Sequence, residues 1–209
     1  MSFNINEFKS VMDRHGGPAR TSMFEVEITT TSVDGTPIAP GGISASDLRF
    51  FCQSVSVPGI NFETAYYRSS GVGFPESLPM TVAPETLNCV FVLDNDHRIL
   101  TFFHAWMNTV MNVGSGALGA NQNGLPMHQI EYKNSYAAKS MMVRHYSSTD
   151  VFNSYEFQYF NVYPTQVSTI DLGWGNKDDA AIATITVNFS YSKMGYQGFR
   201  KRDTPGPNR

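Results

Sequence analysis

The chain has 209 residues with a formal net charge of −3, and 16% of the residues are charged against 41% that are hydrophobic. This size and hydrophobic share suit one domain with a core and some extensions. The acidic balance argues against a nucleic-acid-binding protein, because phosphate binding needs clustered Lys and Arg. The basic cluster at 200–202 is followed by Asp203 and two prolines, which is typical of a tail; contact with an acidic partner is the alternative.

The first 20 residues predict a helical arm. Apolar residues recur at helical spacing within 4–14, and Gly-Gly-Pro at 16–18 ends the helix. A helix this short is marginal alone and needs a surface to dock on. The segment lacks the features of a signal peptide, and no run of about 18 apolar residues occurs, so we expect a chain that folds in a cytoplasm without a membrane span. The apolar positions of the helix are Ile5, Phe8, Val11 and Met12.

The next segments predict strands, because apolar and polar residues alternate between turn signals. The apolar phase shifts near Gln53 and Ser54, which indicates a β-bulge. A Gly-, Pro- and Ser-rich loop fills 31–47, and a short extended piece ends at Pro84. The predicted strands of this half are 23–30, 48–57, 60–68 and 86–93.

One long helix is predicted over 94–112. Asp94 or Asn95 is placed to cap its first turn, and Asp96 suits the positive end of the helix dipole. Its apolar stripe comprises Ile99, Phe103, Trp106, Met107 and Val110.

The second half is again β-rich. Strands are predicted at 138–147, 151–162 and 182–193, with a turn-rich connection at 164–176 that contains Pro164. We therefore expect a mainly β domain over 21–193, with a helical arm at 1–20 and a tail at 194–209. Its fold would be two packed antiparallel sheets, a β-sandwich or split barrel, with one α-helix on the outside and a short N-terminal helix.

The last predicted strand carries an unusual polar face. Its apolar residues alternate with uncharged polar residues, where an ordinary solvent-facing sheet would include some Lys or Glu. Such a row suits a wet surface that should not hold a charged polymer, as in the interior of a large barrel; a plain solvent face is the alternative. The apolar positions are Ile185, Val187, Phe189 and Tyr191. The polar positions are Thr184, Thr186, Asn188, Ser190 and Ser192.

Residues 58–84 predict a protruding arm that contacts a neighbouring subunit. Four aromatic residues lie between turn signals in this segment, which makes it too apolar to stay solvated. These residues are Phe62, Tyr66, Tyr67 and Phe74.

No pattern in the chain predicts catalysis, a cofactor or a metal site. The glycines at 114, 116 and 119 match GxGxxG but follow a helix, whereas a dinucleotide site follows a strand. Asp94, Asp96 and His97 lack the EF-hand pattern and favour a helix cap. Cys52 and Cys89 occur in apolar, strand-like runs and are interpreted as buried reduced thiols.

The order of several segments resembles the tail tube proteins of contractile-tailed, T-even-like phages. The N-terminal helix followed by Pro18-Ala19-Arg20 and MFEVEI is similar to that family's opening. FFCQSVSVPGI (50–60) resembles the segment before its protruding hairpin, and TLNCVFVLDNDHRILTFFHAWM (86–107) resembles its strand, acidic turn and helix. YFNVYPTQVSTIDLGWGNKDDAAIATITVNFSY (159–191) resembles its closing pattern of a YP turn, L-x-W and a final strand. Together these cover about two thirds of the chain.

The resemblance implies a structural subunit, without enzymatic activity or cofactor, that forms stacked hexameric rings. The inner strands would join into one barrel through which phage DNA passes without specific binding. The implied partners are tail sheath, baseplate and tail-terminator proteins, and the implied location is the phage tail of a virion assembled in the host cytoplasm. Longer loops at 31–47 and 114–130 leave open a baseplate tube initiator or the tube subunit of a related contractile injection system. A β-sandwich binding module is a more distant alternative, and an enzyme is the least favoured.

Overall fold

A computed structural model describes residues 5–14, 17–39, 43–68, 71, 73–83, 85–111, 130–147, 153–170 and 182–201. The domain is mainly β, with few and short helices, as the alternating sequence pattern predicts. Its helices are α1 (Ile5–Arg14), α2 (Ala45–Leu48), α3 (Arg98–Val110) and α4 (Lys133–Tyr136), with a 3₁₀ turn over Arg49–Phe51. Its strands are β1 (Phe24–Ile28), β2 (Cys52–Ser56), β3 (Asn61–Tyr67), β4 (Glu76–Ala83), β5 (Leu87–Val92), β6 (Ala138–Tyr146), β7 (Asn153–Val167), β8 (Thr184–Ser190) and β9 (Lys193–Lys201).

The long strand β7 takes part in two antiparallel arrays. Its first part pairs with β6 on one side and β9 on the other, and β6 pairs with β1. Its last residues, from Tyr163 to Val167, pair with β8, which continues through β5 to β2. Asn161 adopts a left-handed conformation with φ of 54° where the strand passes from one array to the other. We call β1–β6–β7–β9 the first sheet and β7–β8–β5–β2 the second sheet.

The two sheets enclose one hydrophobic core. Val26 and Met141 of the first sheet belong to the same buried cluster as Cys89 and Val187 of the second. Because alternate residues of each strand point to opposite faces, each sheet keeps a second face outside this core. This arrangement confirms the predicted pair of packed antiparallel sheets.

Helix α3 contributes directly to the core. Ile99, Phe102, Phe103 and Trp106 are fully buried, and the Trp106 indole Nε1–H donates to the Tyr136 carbonyl at 2.8 Å. The helix begins at Arg98, because the turn from Asp94 to His97 precedes it. The N-cap position is occupied by His97 and not by Asp94 or Asn95, but the Asp94 carboxylate still accepts from the Ile99 amide of the first turn at 3.2 Å.

Three segments differ from their predictions. Residues 45–51 are helical instead of starting a strand at 48, because the Ser44 hydroxyl accepts from the Asp47 amide and caps a short helix. Strand β7 continues past Pro164, because a register shift between Pro164 and Gln166 accommodates a residue that has no backbone N–H to donate. A tail is predicted from residue 194, but the chain up to Lys201 forms strand β9. This strand pairs with an edge of β7 that would otherwise be open.

The hairpin of β3 and β4 and the helix α1 lie outside this body. Strands β3 and β4 form a separate two-stranded sheet. Helix α1 has the predicted bounds within one residue, and its Ile5 and Val11 remain exposed. Both elements therefore present apolar surface that the described parts of the chain do not cover.

Candidate subunit interfaces and channel surface

The predicted alternation of β8 is confirmed. Ile185, Val187 and Phe189 are fully buried, while Thr184 is exposed on the opposite face. Thr186, Asn188 and Ser190 share that opposite face and are half-buried among their neighbours. Ser192 does not continue this row, because it lies beyond the end of β8 and its hydroxyl accepts from the Lys133 ammonium at 2.7 Å. The structure thus brings together four of the five predicted residues.

The outer face of the second sheet is uncharged across all of its strands. The register aligns Ser56, Asn88, Asn188 and Gln166 in one row from β2 to β7. The Asn188 side-chain amide donates to Gln166 Oε1 at 3.0 Å, so the row is hydrogen-bonded as well as aligned. The segments 52–56, 87–92, 163–167 and 184–190 contain no Asp, Glu, Lys or Arg. The sequence predicts an uncharged face only for β8, because the four segments are far apart in the chain and their pairing cannot be derived from it.

The second sheet has two open edges. In the described residues, β2 pairs only with β5, and the 163–167 part of β7 pairs only with β8. An open edge presents unpaired N–H and C=O groups that favour pairing with another chain. Each edge also lacks the charged side chains with which monomeric proteins block such pairing.

The outer face of the first sheet is, by contrast, highly charged. The Arg144 guanidinium pairs with Glu27 at 2.8 Å and with Glu156 at 3.1 Å, and Arg49 pairs with Glu25 at 3.0 Å. Burial alone would raise the pKa of Glu25, but the Tyr146 hydroxyl and the charges of Arg144 and Arg49 hold it below 4.5. Glu25, Glu27 and Glu156 therefore do not share a face with the uncharged residues of β8. They lie on the other sheet and are paired with arginines.

The β3–β4 hairpin exposes all four predicted interface residues. The exposed fractions are 54% for Phe62, 76% for Tyr66, 57% for Tyr67 and 101% for Phe74. By alternation along β3, Phe62 and Tyr66 lie on one face and Tyr67 on the other. Strand β4 adds exposed apolar residues that the sequence reasoning did not single out, namely Leu78, Met80 and Val82. We call residues 58–84 the arm.

The two ends of the arm are joined to each other at its base. The Gly59 amide at its start donates to Glu85 Oε2 at its end, at 3.1 Å. Pro58, the residue before Gly59, is buried. The arm is thus held at its root while its aromatic residues remain uncovered.

An apolar cleft of about 590 Å³ opens between the edge strands of the two sheets. Its apolar lining includes Phe24 of β1, Val55 of β2 and Phe157 of β7. His145 also lines the cleft, and its Nε2 atom lies 2.8 Å from the Arg20 carbonyl oxygen. The cleft lies beside the open edge formed by β2.

The residues considered as metal or nucleotide ligands in the sequence either have structural roles or lie outside the described residues. The Asp94 carboxylate accepts from the first turn of α3, and Asp96 pairs with Arg98 at 2.6 Å. Within the described ranges, no three His, Cys, Asp or Glu residues are grouped as metal ligands would be. None of the described helices has the length and apolar character needed to span a bilayer. The GxGxxG glycines and the L-x-W segment at 172–174 lie outside the described residues.

An uncharged sheet between two open edges, together with a detached apolar hairpin, is typical of a subunit that assembles with other chains. Comparison with protein families identifies the assembly. The chain belongs to the phage tail tube protein family, whose model matches residues 19–196. It is therefore a structural tube subunit and a component of the phage tail.

Solved structures with the same fold come from contractile injection systems. A chain in the anti-feeding prophage baseplate structure has a TM-score of 0.53 and 12% identity, over 87% of this chain and 97% of that chain. A chain in the sheath/tube terminator structure of the extracellular contractile injection system PVC has a TM-score of 0.51 and 15% identity, over 87% and 97%. A chain in the PVC sheath-tube complex has a TM-score of 0.50 and 15% identity, over 94% and 99%. Comparison with the curated protein sequences gives no significant match.

Proposed function

We propose that six copies of this protein form a ring, that rings stack into the tail tube, and that the outer face of the second sheet lines the channel. The observation that carries this proposal is the uncharged face between two open edges. Pairing β2 of one subunit with the 163–167 edge of the next would satisfy the free backbone groups of both. Repeating that step around a ring closes the second sheets into one barrel.

The charge distribution supports this orientation. DNA that passes through a tube must not be held by it, and each Lys or Arg on the wall would add a salt-dependent phosphate contact. The second sheet carries neither residue in its strands, whereas the first sheet carries Arg144 and its three glutamates. The first sheet therefore faces outward in this proposal, towards the tail sheath, with the baseplate and tail-terminator proteins at the tube ends.

The arm is the second part of the proposal. Its apolar residues lie on both faces of an isolated hairpin, and a two-stranded hairpin is only marginally stable in water. Contact with a neighbouring subunit would cover these residues and stabilise the hairpin. The apolar cleft beside β2 offers further surface for such contacts.

Electron microscopy of the purified protein tests the assembly. We expect rings or tubes with a central channel. Long tubes formed by this protein alone indicate the main tube protein, whereas single rings that need a baseplate indicate a tube initiator. A protein that stays monomeric at high concentration contradicts the proposal.

Cysteine labelling tests which face lines the channel. In a chain with Cys52→Ser, Thr186→Cys would place a thiol on the second sheet, and Gln158→Cys is the matched variant on the outer face of the first. We expect a bulky maleimide to label Gln158→Cys but not Thr186→Cys in assembled tubes, and to label both in monomers. The reverse pattern in tubes would show that the sheets are oriented the other way.

DNA binding tests the neutrality of the wall. We expect assembled rings to bind no duplex DNA at low salt. Changing Thr186 and Ser190 together to Lys should permit assembly but slow or stop DNA delivery by phage particles that carry the variant, while Gln158→Lys should leave delivery unchanged. Tight low-salt binding by the unmodified protein, abolished by changes in β8, would contradict a neutral channel.

A further inference from the structure

The two cysteines of the chain lie on neighbouring strands of the second sheet. Cys52 pairs with Phe91, and Val55 pairs with Cys89, so the cysteines are diagonal neighbours on the core side of β2 and β5. The register shifts between Cys52 and Ser54, which changes the local course of β2 beside the cysteine. Both thiols are free in the structure.

The two thiols have different surroundings. Cys89 is fully buried in the core, whereas Cys52 is only partly buried and its thiol donates to the Ser54 carbonyl at 3.5 Å. A hydrogen bond with Cys52, together with burial, raises the pKa of the Cys89 thiol well above 9.0. The register makes the two cysteines diagonal neighbours, and Cys52, the less buried of the two, is the one that solvent reaches.

A bond between these cysteines would join the two roots of the arm. The segment between them contains β3 and β4, and it begins and ends in the paired strands β2 and β5. The bond would also fix β2, an edge strand, to its only partner in the described residues. The arrangement of open edges and arm does not itself require such a bond.

We propose that Cys52 and Cys89 are a modification site that forms an intramolecular disulfide when the protein leaves a reducing compartment. The oxidant is a small disulfide such as oxidised glutathione. The Cys52 thiolate attacks one of its sulfur atoms, which forms a mixed disulfide and releases one glutathione thiolate. The Cys89 thiolate then attacks the Cys52 sulfur, closes the protein disulfide and releases the second glutathione thiolate. The two cysteine protons end on the two glutathione molecules, which take up the two electrons.

The second attack controls the rate. Because only the thiolate reacts and the pKa of Cys89 is raised, closure should be slow near neutral pH and should accelerate about tenfold per pH unit until the thiol is ionised. The mixed disulfide at Cys52 is expected as an intermediate. This inference does not depend on the proposed ring, and it is tested on the monomer.

The experiment uses the full chain, reduced and then incubated with oxidised glutathione at several pH values. Mass spectrometry under non-reducing conditions should show a monomer that has lost two hydrogens, with a cross-linked peptide pair containing Cys52 and Cys89. Thiol titration after denaturation should fall from two groups to none. Glutathione retained on Cys52 at the highest pH, a covalent dimer, or two unreacted thiols would each overturn the proposal.

Variants separate the disulfide from other effects of oxidation. Cys52→Ser should abolish both the mass loss and the mixed disulfide, while Cys89→Ala should stop at the mixed disulfide on Cys52. The melting temperature of the unmodified chain should rise by about 5–10 °C on oxidation, because the closed loop restricts the unfolded chain. Neither variant should show this rise, and a rise in Cys52→Ser would refute the assignment.

Discussion

The orientation of β8 can be tested by placing a charge at Val187. This side chain has 0% exposure and lies opposite Cys89 in the register of β5 and β8. Asp is close to Val in size, so Val187→Asp introduces a buried carboxylate with little change in shape. Within the described residues, no cation of the second-sheet strands lies beside it to pair with that charge.

The expected loss of stability is large compared with the stability of a domain. Removing the buried Val side chain costs about 1.5–3 kcal/mol, and an unpaired buried charge costs about 3–5 kcal/mol. The sum, about 4.5–8 kcal/mol, is comparable to a total unfolding free energy of about 5–15 kcal/mol. Val187→Asp should therefore be largely unfolded or strongly destabilised at neutral pH.

Two other variants isolate the cause. Val187→Ala removes the apolar contacts without adding charge and should cost about 1.5–3 kcal/mol. Thr184→Asp adds the same charge to the exposed face of the same strand and should change stability by about 0.5 kcal/mol. The assay is urea unfolding of dilute monomer, followed by circular dichroism. If Val187→Asp unfolds at the same urea concentration as the unmodified chain while Thr184→Asp is unfolded, Thr184 lies on the core face of β8 and Val187 on its outer face.

Three further predictions concern the core, the charged face and the arm. Trp106→Phe should lower the unfolding free energy by about 2–4 kcal/mol in urea titrations, because it leaves the buried Tyr136 carbonyl without its donor and opens a cavity; a change below about 0.5 kcal/mol would contradict that contact. Glu25→Gln should flatten the loss of stability on acidification: the pKa of Glu25 is lowered in the folded chain, so its contribution is present at neutral pH and is lost as the pH falls through and below 4.5. Equal pH profiles of the melting temperature for both chains would refute this role. Amide hydrogen exchange in the arm should be fast in monomers and slow in assembled tubes, and equal protection in both states would show that the arm is not an interface.

The sequence predicts the strictly alternating segments of the fold well. In β8, Ile185, Val187 and Phe189 point into the core, so period-two alternation alone identifies the face. Helix α3 is similarly evident from its apolar stripe and from Asp94. These features are local, since each depends on residues within one turn or one strand.

Features that depend on pairing between distant segments were missed or misplaced. Strand β9 contains Gly195 and Gly198 and has weak alternation, so only the open edge of β7 explains why it is a strand. Pro164 indicates a turn when its segment is considered alone, but it is accommodated at a register shift beside β8. Likewise, Glu25 and Glu156 belong to a different sheet from Thr186, and the sequence does not show this separation.

The separation of charges between the two sheets has a consequence in a ring that it lacks in a monomer. Cyclic symmetry repeats every side chain on the inner face once per subunit, and stacking repeats it along the tube. A single Lys at Thr186 would therefore become a continuous series of cations around the channel, and its effect on DNA would grow with each ring passed. A single pair such as Arg144 with Glu156 on the first sheet is neutralised within its own subunit, so repetition adds little net field. In the proposed ring, the demand for uncharged residues is thus far stricter on the second sheet than on the first. The proposal accounts in this way for four strands without a charged residue in a chain that places ion pairs on its other sheet.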